Sequence, residues 1–241
     1  MNSIELVGIF SLFVTDLVFP RRCPVCDKPL PPGIMICPKC DEKLVLIKAP
    51  RCYKCGRQVE NSSIEYCPSC TQTKHVYDSG LALYDYTSVN KTIYRYKYSG
   101  RAEYACFLGR EMAKHLGPMI LSWKPDAIIP VPLHKSKERK RGFNQAALLA
   151  AQVSKALDIP YRDIIERSRK TTPMKELSAS ERQINLKNAF LLRDNDVKLK
   201  CVVIVDDIYT TGSTIDAITS ILKEAGVMKV FFIALSIGIG V

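Results

Sequence analysis

The stretch VVIVDDIYTTGST, residues 202–214, decides the fold. It opens as an unbroken apolar run, Val202 to Val205, continues through the adjacent acids Asp206 and Asp207, and then sets Thr210, Thr211, Ser213 and Thr214 around Gly212. An apolar run without polar alternation reads as a strand buried on both faces, as in a parallel sheet covered by helices. A strand that ends in two acids delivers them to the carboxyl edge of the sheet, where open α/β folds bind ligands. Carboxylates accept hydrogen bonds and cannot donate, so Asp206 and Asp207 suit a pair of vicinal hydroxyls or a metal ion. The turn after them leads into a helix expected over Ser213 to Ala225 and ended by Gly226. A helix N-terminus favours phosphate, Gly212 permits close backbone approach, and the four hydroxyls add short donors. A diol beside a phosphate is a ribose 5-phosphate. The lysine of a GxxxxGK[ST] loop is absent, so this is not a triphosphate cradle of that kind. The competing reading is a strand-to-helix turn with hydroxyl caps and two solvated acids; such caps are common, the whole string much less so.

Working outward, strand-like and helix-like segments alternate from residue 81 onward. Leu81 to Tyr86 reads as a strand, Lys91 to Tyr98 and Ala102 to Leu116 as helices, and Asp126 to Pro132 as a short strand stopped by two prolines. A basic loop, LHKSKERKRGFNQ, then opens into a helix with Leu149, Val153, Ala156 and Leu157 on one face. Ile164 and Ile165 mark a further short strand, Ser178 and Glu181 stand at capping-box spacing, and Ala189 to Leu192, Cys201 to Val205 and Lys229 to Ser236 read as strands. Alternation of this kind, with strands apolar at every position, implies an α/β fold with a parallel sheet covered on both faces.

Upstream, eight of the ten cysteines fall in four CxxC pairs: Cys23 and Cys26, Cys37 and Cys40, Cys52 and Cys55, Cys67 and Cys70. The inner gaps are ten residues in the first half and eleven in the second. Two knuckles complete a tetrahedral shell of four thiolates, the closed geometry of structural zinc, so the reading is two tandem ribbons with one Zn2+ in each half. Disulfides suit a secreted chain, and no secretion signal is evident; redox CxxC pairs normally come singly. Iron–sulfur ligation uses the same residue type, although the even pairing favours zinc. Cys106 and Cys201 lie outside the pattern and read as buried apolar residues. Formal net charge is +11, and two thiolate-zinc sites of −2 each lower it to about +7, still basic enough to favour phosphorylated or polyanionic partners.

The start of the chain is apolar, but Glu5 and Asp16 interrupt it, it lacks basic residues, and the stretch between the acids is too short to span a bilayer. This reads as a cytoplasmic protein with no transmembrane segment. Residues 1–22 are expected as an amphipathic helix that packs on a neighbouring domain or lies on a membrane, 23–73 as the ribbons, and 74–241 as the α/β domain, with Lys74 to Gly80 as the link. The three histidines, His75, His115 and His134, show no catalytic spacing; only His134 stands near the expected site in sequence, and a structural role is favoured for it. Lys91, Arg95, Lys97 and Arg101 either extend the binding surface or form a solvated helix face.

The 202–214 stretch resembles the phosphoribosyl pyrophosphate (PRPP) motif of type I phosphoribosyltransferases. Together with IIPVPLHKSKERKRGFNQAALLA, RSRKTTPMKELSASERQINLKNAF and the four CxxC pairs, nearly the whole chain is similar to the ComF family of competence-associated proteins. Met174 departs from the family pattern, which commonly has glutamine there. The resemblance implies a parallel-sheet, type I phosphoribosyltransferase-like domain preceded by a small Cys-rich zinc-ribbon domain. It assigns Asp206 and Asp207 to the ribose hydroxyls, and Thr210, Thr211, Gly212, Ser213 and Thr214 to the 5-phosphate. Val131, Pro132, Leu133, His134 and Lys135 become the pyrophosphate loop, flanked by the basic cluster of Lys135, Lys137, Arg139, Lys140 and Arg141; residues 171–188 become a flexible active-site loop. It further implies Mg2+ bound with PRPP, single-stranded DNA as a partner, and a role in DNA uptake beside machinery proteins at the inner face of the membrane. The runner-up is a zinc-ribbon nucleic-acid-binding or partner-docking module whose phosphate site is not catalytic.

Overall fold

A computed structural model describes residues 20–168, 189–193 and 198–238. Most of the helix expected over residues 1–22 lies outside the described residues, as do Met174, the loop 171–188 and the Ser178–Glu181 capping pair. The strands are β1 (Ser79–Asp85), β2 (Ala127–Pro130), β3 (Ile165–Arg167), β4 (Phe190–Leu192), β5 (Cys201–Tyr209) and β6 (Lys229–Ile237). The helices are α1 (Pro38–Asp41), α2 (Pro68–Gln72), α3 (Tyr86–Tyr98), α4 (Tyr104–Ser122), α5 (Lys135–Arg141), α6 (Gln145–Leu157) and α7 (Ser213–Glu224).

The expected parallel sheet is present, with strand order β1-β6-β5-β2 and every pairing parallel. Its two apolar faces are covered differently. Val203 and Val205 of β5 pack with Ile93 and Tyr96 of α3, Leu108 and Met112 of α4, and Leu149 and Val153 of α6. Val202 and Ile204 pack with Ile215, Ile218 and Leu222 of α7, and in the same cluster lie Cys52, Cys55 and Cys67 of the second ribbon. Unpaired sheet edges invite foreign strands, and here both are blunted by short segments. The inter-ribbon segment pairs antiparallel to β1 through Leu46 and Tyr84, with Ile47 N–H donating to the Leu83 carbonyl at 2.9 Å. At the other edge Tyr161 bridges Ile128 of β2.

Several boundaries differ from the sequence reading. Residues 86–90 belong to helix and not to strand or loop, because the Asp85 carboxylate accepts from Thr87 N–H at 2.8 Å and starts α3. Helix α4 runs through Gly117 and Pro118 to Ser122; Leu157 of α6 packs so closely over Gly117 that an added Cβ would sit 3.0 Å from it. The basic segment after β2 is a helix, α5, closed by Gly142 at φ 85°, where sequence suggested a loop. Segments β3 and β4 pair antiparallel with each other and stand apart from the parallel sheet. Cys106 and Cys201 are half-buried, the latter with its Sγ 3.2 Å from the Trp123 carbonyl oxygen, so they are not core residues.

Candidate functional site

The eight knuckle cysteines gather within halves. Cys23, Cys26, Cys37 and Cys40 form one group, Cys52, Cys55, Cys67 and Cys70 the other, and in each all four Sγ atoms lie within 4.8 Å of one another. A tetrahedron with Zn–S bonds of about 2.3 Å has edges of about 3.8 Å. The Cys26–Cys37 and Cys55–Cys67 sulfur separations of 3.6 and 3.7 Å match that edge, and all ten cysteines are free of disulfides. The residues therefore fit two four-cysteine zinc centres, whose role is to close ribbons too small to hold themselves together.

The first ribbon is tied to the helical layer. Thr92 Oγ1 donates to the Pro24 carbonyl at 2.8 Å, Arg95 to the Val25 carbonyl at 2.8 Å, and Tyr104 Oη to Asp27 at 2.6 Å, with Arg101 3.0 Å or less from the same carboxylate. Arg95 and Arg101 are thus tied to the ribbon, while Lys91 is exposed and Lys97 enters the site described next.

Register places the carboxyl edge of β5 beside the segment that follows β2. Pro130 stands opposite Val205, and Val131 N–H donates to the Val205 carbonyl at 2.9 Å, so Val131 to Lys135 leaves the sheet next to Asp206. Successive strand residues face opposite sides. Asp207, 8% exposed, turns to the helical face and pairs with Lys97 of α3 at 2.9 Å. Asp206 is half-buried, and its carboxylate accepts from the Asp207 backbone N–H at 2.8 Å. Burial first, and then the Asp207 charge, push the Asp206 carboxyl up to about 7; Lys97 and Arg167 of β3 pull in the opposite direction. Such a group is poised near neutrality.

Beyond Tyr209 the chain turns at Gly212, with φ 78°, into α7. Gly212 is buried, Thr210 and Thr211 are exposed, Ser213 and Thr214 are half-buried, and the Thr211 and Ser213 hydroxyls lie 2.9 Å apart. Only glycine fits this corner: a Cβ would stand 2.6 Å from Tyr209 Oη and 2.7 Å from His75 Cε1. His75, from the link between ribbons and sheet, bonds Asp216 of α7 through Nδ1 at 2.7 Å, and Asp216 also accepts from Val76 N–H at 2.8 Å. Tyr77 and Tyr209 join hydroxyls at 2.7 Å beneath the same turn. The expectation that His134 alone of the histidines lies near the site thus fails for His75. His134 itself caps α5, its Nδ1 accepting from Ser136 N–H at 3.2 Å.

Opposite the acids stands a wall of cations. Lys137, Lys140 and Arg141 of α5 line a cavity of about 360 Å3 with Lys97, Tyr98 and Gly100. Burial, then Arg167, Arg141 and Lys97, hold the Lys137 ammonium below its usual range. A bound anion relieves that crowding. Lys135 instead pairs with Glu166 of β3 at 2.7 Å, and Arg139 is exposed and not among the residues that line the cavity. Asn144 joins the two halves of this wall: its side-chain oxygen caps α6 at Ala146 N–H (3.0 Å), and its Nδ2 donates to the Val131 carbonyl (3.1 Å).

Sequence reasoning missed three contributors, Asn144, Arg167 and His75, and left Lys97 open between the binding surface and a solvated helix face. Asn144 carried a signal, a capping residue directly before an apolar-periodic helix. Lys97 lies four residues after buried Ile93 and so beside the apolar stripe of α3. Arg167 and His75 carried none, since their partners are distant in sequence.

A family model described as "Double zinc ribbon domain" matches residues 14–71, and one described as "Phosphoribosyl transferase domain" matches residues 140–237. The chain is 32% identical to "Competence protein F" of Haemophilus influenzae over 81% of its own length and 87% of that protein. It is 34% identical to "DNA utilization protein YhgH" of Shigella flexneri, covering 89% and 96%, and 28% identical to "Competence protein ComFC" of Streptococcus pneumoniae, covering 74% and 84%. With two four-cysteine centres ahead of a parallel α/β sheet, and relatives matched over most of their length, this chain belongs to the ComF family of competence-associated proteins.

Proposed function

We propose that the chain binds PRPP, or another ribose 5-phosphate, at the carboxyl edge of β5, and acts in uptake of single-stranded DNA during transformation. The observation that carries the reading is one continuous edge. Asp206 and Asp207 lie in the last four residues of the strand, which ends at Tyr209, and the Gly212 turn and the N-terminus of α7 follow within a few residues. The acids accept from the ribose hydroxyls, the turn and its hydroxyls hold the 5-phosphate, and Lys97, Lys137 and Arg141 face the pyrophosphate. Mg2+ bound with PRPP would supply positive charge to offset that of the pyrophosphate. Asp206 and Asp207 orient the sugar and oppose positive charge growing at its C1, so transfer to an acceptor needs no protein nucleophile. The names of the relatives, competence and DNA utilization proteins, support the DNA-uptake part, as does the formal charge of +11. Among the described residues no helix is long and apolar enough to cross a membrane. We place the protein on the cytoplasmic side, against uptake machinery at the inner membrane face.

The second reading, a phosphate site that holds and does not transfer, draws on the Lys97–Asp207 pair, which already neutralises one of the two acids. Calorimetric titration of the zinc-loaded protein with PRPP and Mg2+ tests the first: saturable binding near one ligand per chain supports it, and no binding heat and no thermal shift overturn it. Pyrophosphate release on adding free bases separates transferring from holding.

A further inference from the structure

One face of α3 carries two exposed aromatic rings that lie outside the core. Tyr94 is 63% and Tyr98 60% exposed, whereas Ile93 and Tyr96 of the same helix are 2% and 0% exposed and complete the core. The two exposed rings stand one turn apart, with centroids 5.1 Å from each other and planes tilted by 49°. Each borders a cleft. Tyr94 lines one of about 580 Å3 with Lys91 and Arg95, and Tyr98 lines the cavity of about 360 Å3 that holds Lys137, Lys140 and Arg141. Ser99 lines the first cleft and its neighbour Gly100 the second. The described lining residues of the two clefts include six lysines and arginines, three tyrosines and no acid. Arg141 lies with its guanidinium carbon 5.0 Å from the Tyr98 ring centroid.

Flat π-faces beside a row of cations are what an unpaired polynucleotide needs, because bases stack on the rings while phosphates meet the ammonium and guanidinium groups. A duplex hides its base faces. The core of a protein–protein interface is depleted of charge, which this surface is not. We propose that the Tyr94–Tyr98 face of α3 is the stacking platform for single-stranded DNA, with Lys91 on one side and Lys140 and Arg141 on the other tracking its backbone. The inference rests on the reading of this chain as a handler of single-stranded DNA, and adds the surface. It also gives the strand a position next to the pentose site, since Lys97 lines the second cleft and pairs with Asp207.

The test uses the full zinc-loaded chain and a fluorescein-labelled thirty-nucleotide oligo-dT, followed by anisotropy across a salt series. The Tyr94→Ala, Tyr98→Ala double variant is expected to bind about tenfold or more weakly than the native protein, while the corresponding double Phe variant stays within about threefold, because stacking needs the ring and not the hydroxyl. The slope of log affinity against log salt stays unchanged in the Ala pair and becomes shallower by about 0.7 in Lys91→Ala, which removes one phosphate contact. Native affinity in the Ala pair overturns the proposal. So does equal, tyrosine-dependent binding of a thirty-base-pair duplex, and so does tyrosine-dependent binding to phosphatidylglycerol vesicles in place of the oligonucleotide. A native protein that binds no oligo-dT overturns both the platform and the DNA part of the proposed function. PRPP titration of the Tyr94→Ala variant, expected to match the native protein, separates that outcome from a failure of the pentose site.

Discussion

Asp206 is the residue whose environment is most consequential. Its carboxyl is pushed up to about 7, so the folded protein holds a proton there that the unfolded chain releases near pH 4. Between those values the native state binds more protons than the unfolded one, and stability falls as pH rises from about 4 to about 7. Urea unfolding across that range should show the decline in the native protein and a flatter profile in Asp206→Asn; identical profiles contradict the assignment. Gly212 is constrained from the other side. Its φ of 78° and the 2.6 Å approach of Tyr209 Oη predict that Gly212→Ala loses about 1–3 kcal/mol of stability, read by the same unfolding assay. His75→Ala removes the ring beneath that turn and frees Asp216; it should weaken PRPP binding several-fold in calorimetry while both zinc centres still load. Unchanged affinity would mean the ring only fills space. Whether Lys97 guards Asp207 or helps the ligand is readable from Lys97→Met: weaker PRPP binding marks a contact with ligand, tighter binding a competitor.

Elements set where these residues stand, and Asn144 shows how. Its loss in Asn144→Ala removes the α6 cap, for about 1 kcal/mol, and releases the Val131 carbonyl. Thermal melting should register the first effect, and weaker inhibition of PRPP binding by Mg2+-pyrophosphate the second. The strands of the parallel sheet were legible in sequence because each carries an apolar run: Val202 to Val205 is buried on both faces, although β5 runs past the expected end at Val205, through its two acids, to Tyr209. The helix ends were less so. The expected helix ended at Leu116, yet α4 runs on through Gly117, packed under Leu157, and Pro118 to Ser122, a tertiary effect outweighing local propensity. The basic run after β2 showed charge more loudly than its helical caps, His134 and Gly142. Ile165 and Phe190 looked like members of the main sheet because apolarity does not say which strand is a partner.

At the scale of the whole molecule, the sequence boundary near residue 74 divides the chain more cleanly than the core does. The thiols of Cys52, Cys55 and Cys67 share one apolar cluster with Val202, Ile204 and Phe232, and Arg57 donates to the Gly238 carbonyl at the end of β6. A chain divided there predicts that chelation unfolds residues 23–70 and spares the rest. The shared core predicts instead that a zinc chelator lowers the melting temperature of the sheet itself, followed by circular dichroism in the near ultraviolet; a sheet transition that does not move contradicts it. The cysteine spacing made the ribbons legible, while their docking was not, because it depends on single contacts such as Thr92 to Pro24 that no periodicity announces. The central claim remains the pentose-gripping edge of β5. Its most direct test is PRPP calorimetry on the Asp206→Asn, Asp207→Asn pair, run beside oligo-dT anisotropy on the same protein. Charged hydrogen bonds contribute about 1.5–3 kcal/mol each, so PRPP affinity should fall about a hundredfold or more with DNA affinity unchanged; PRPP bound as tightly as by the native protein would contradict the account.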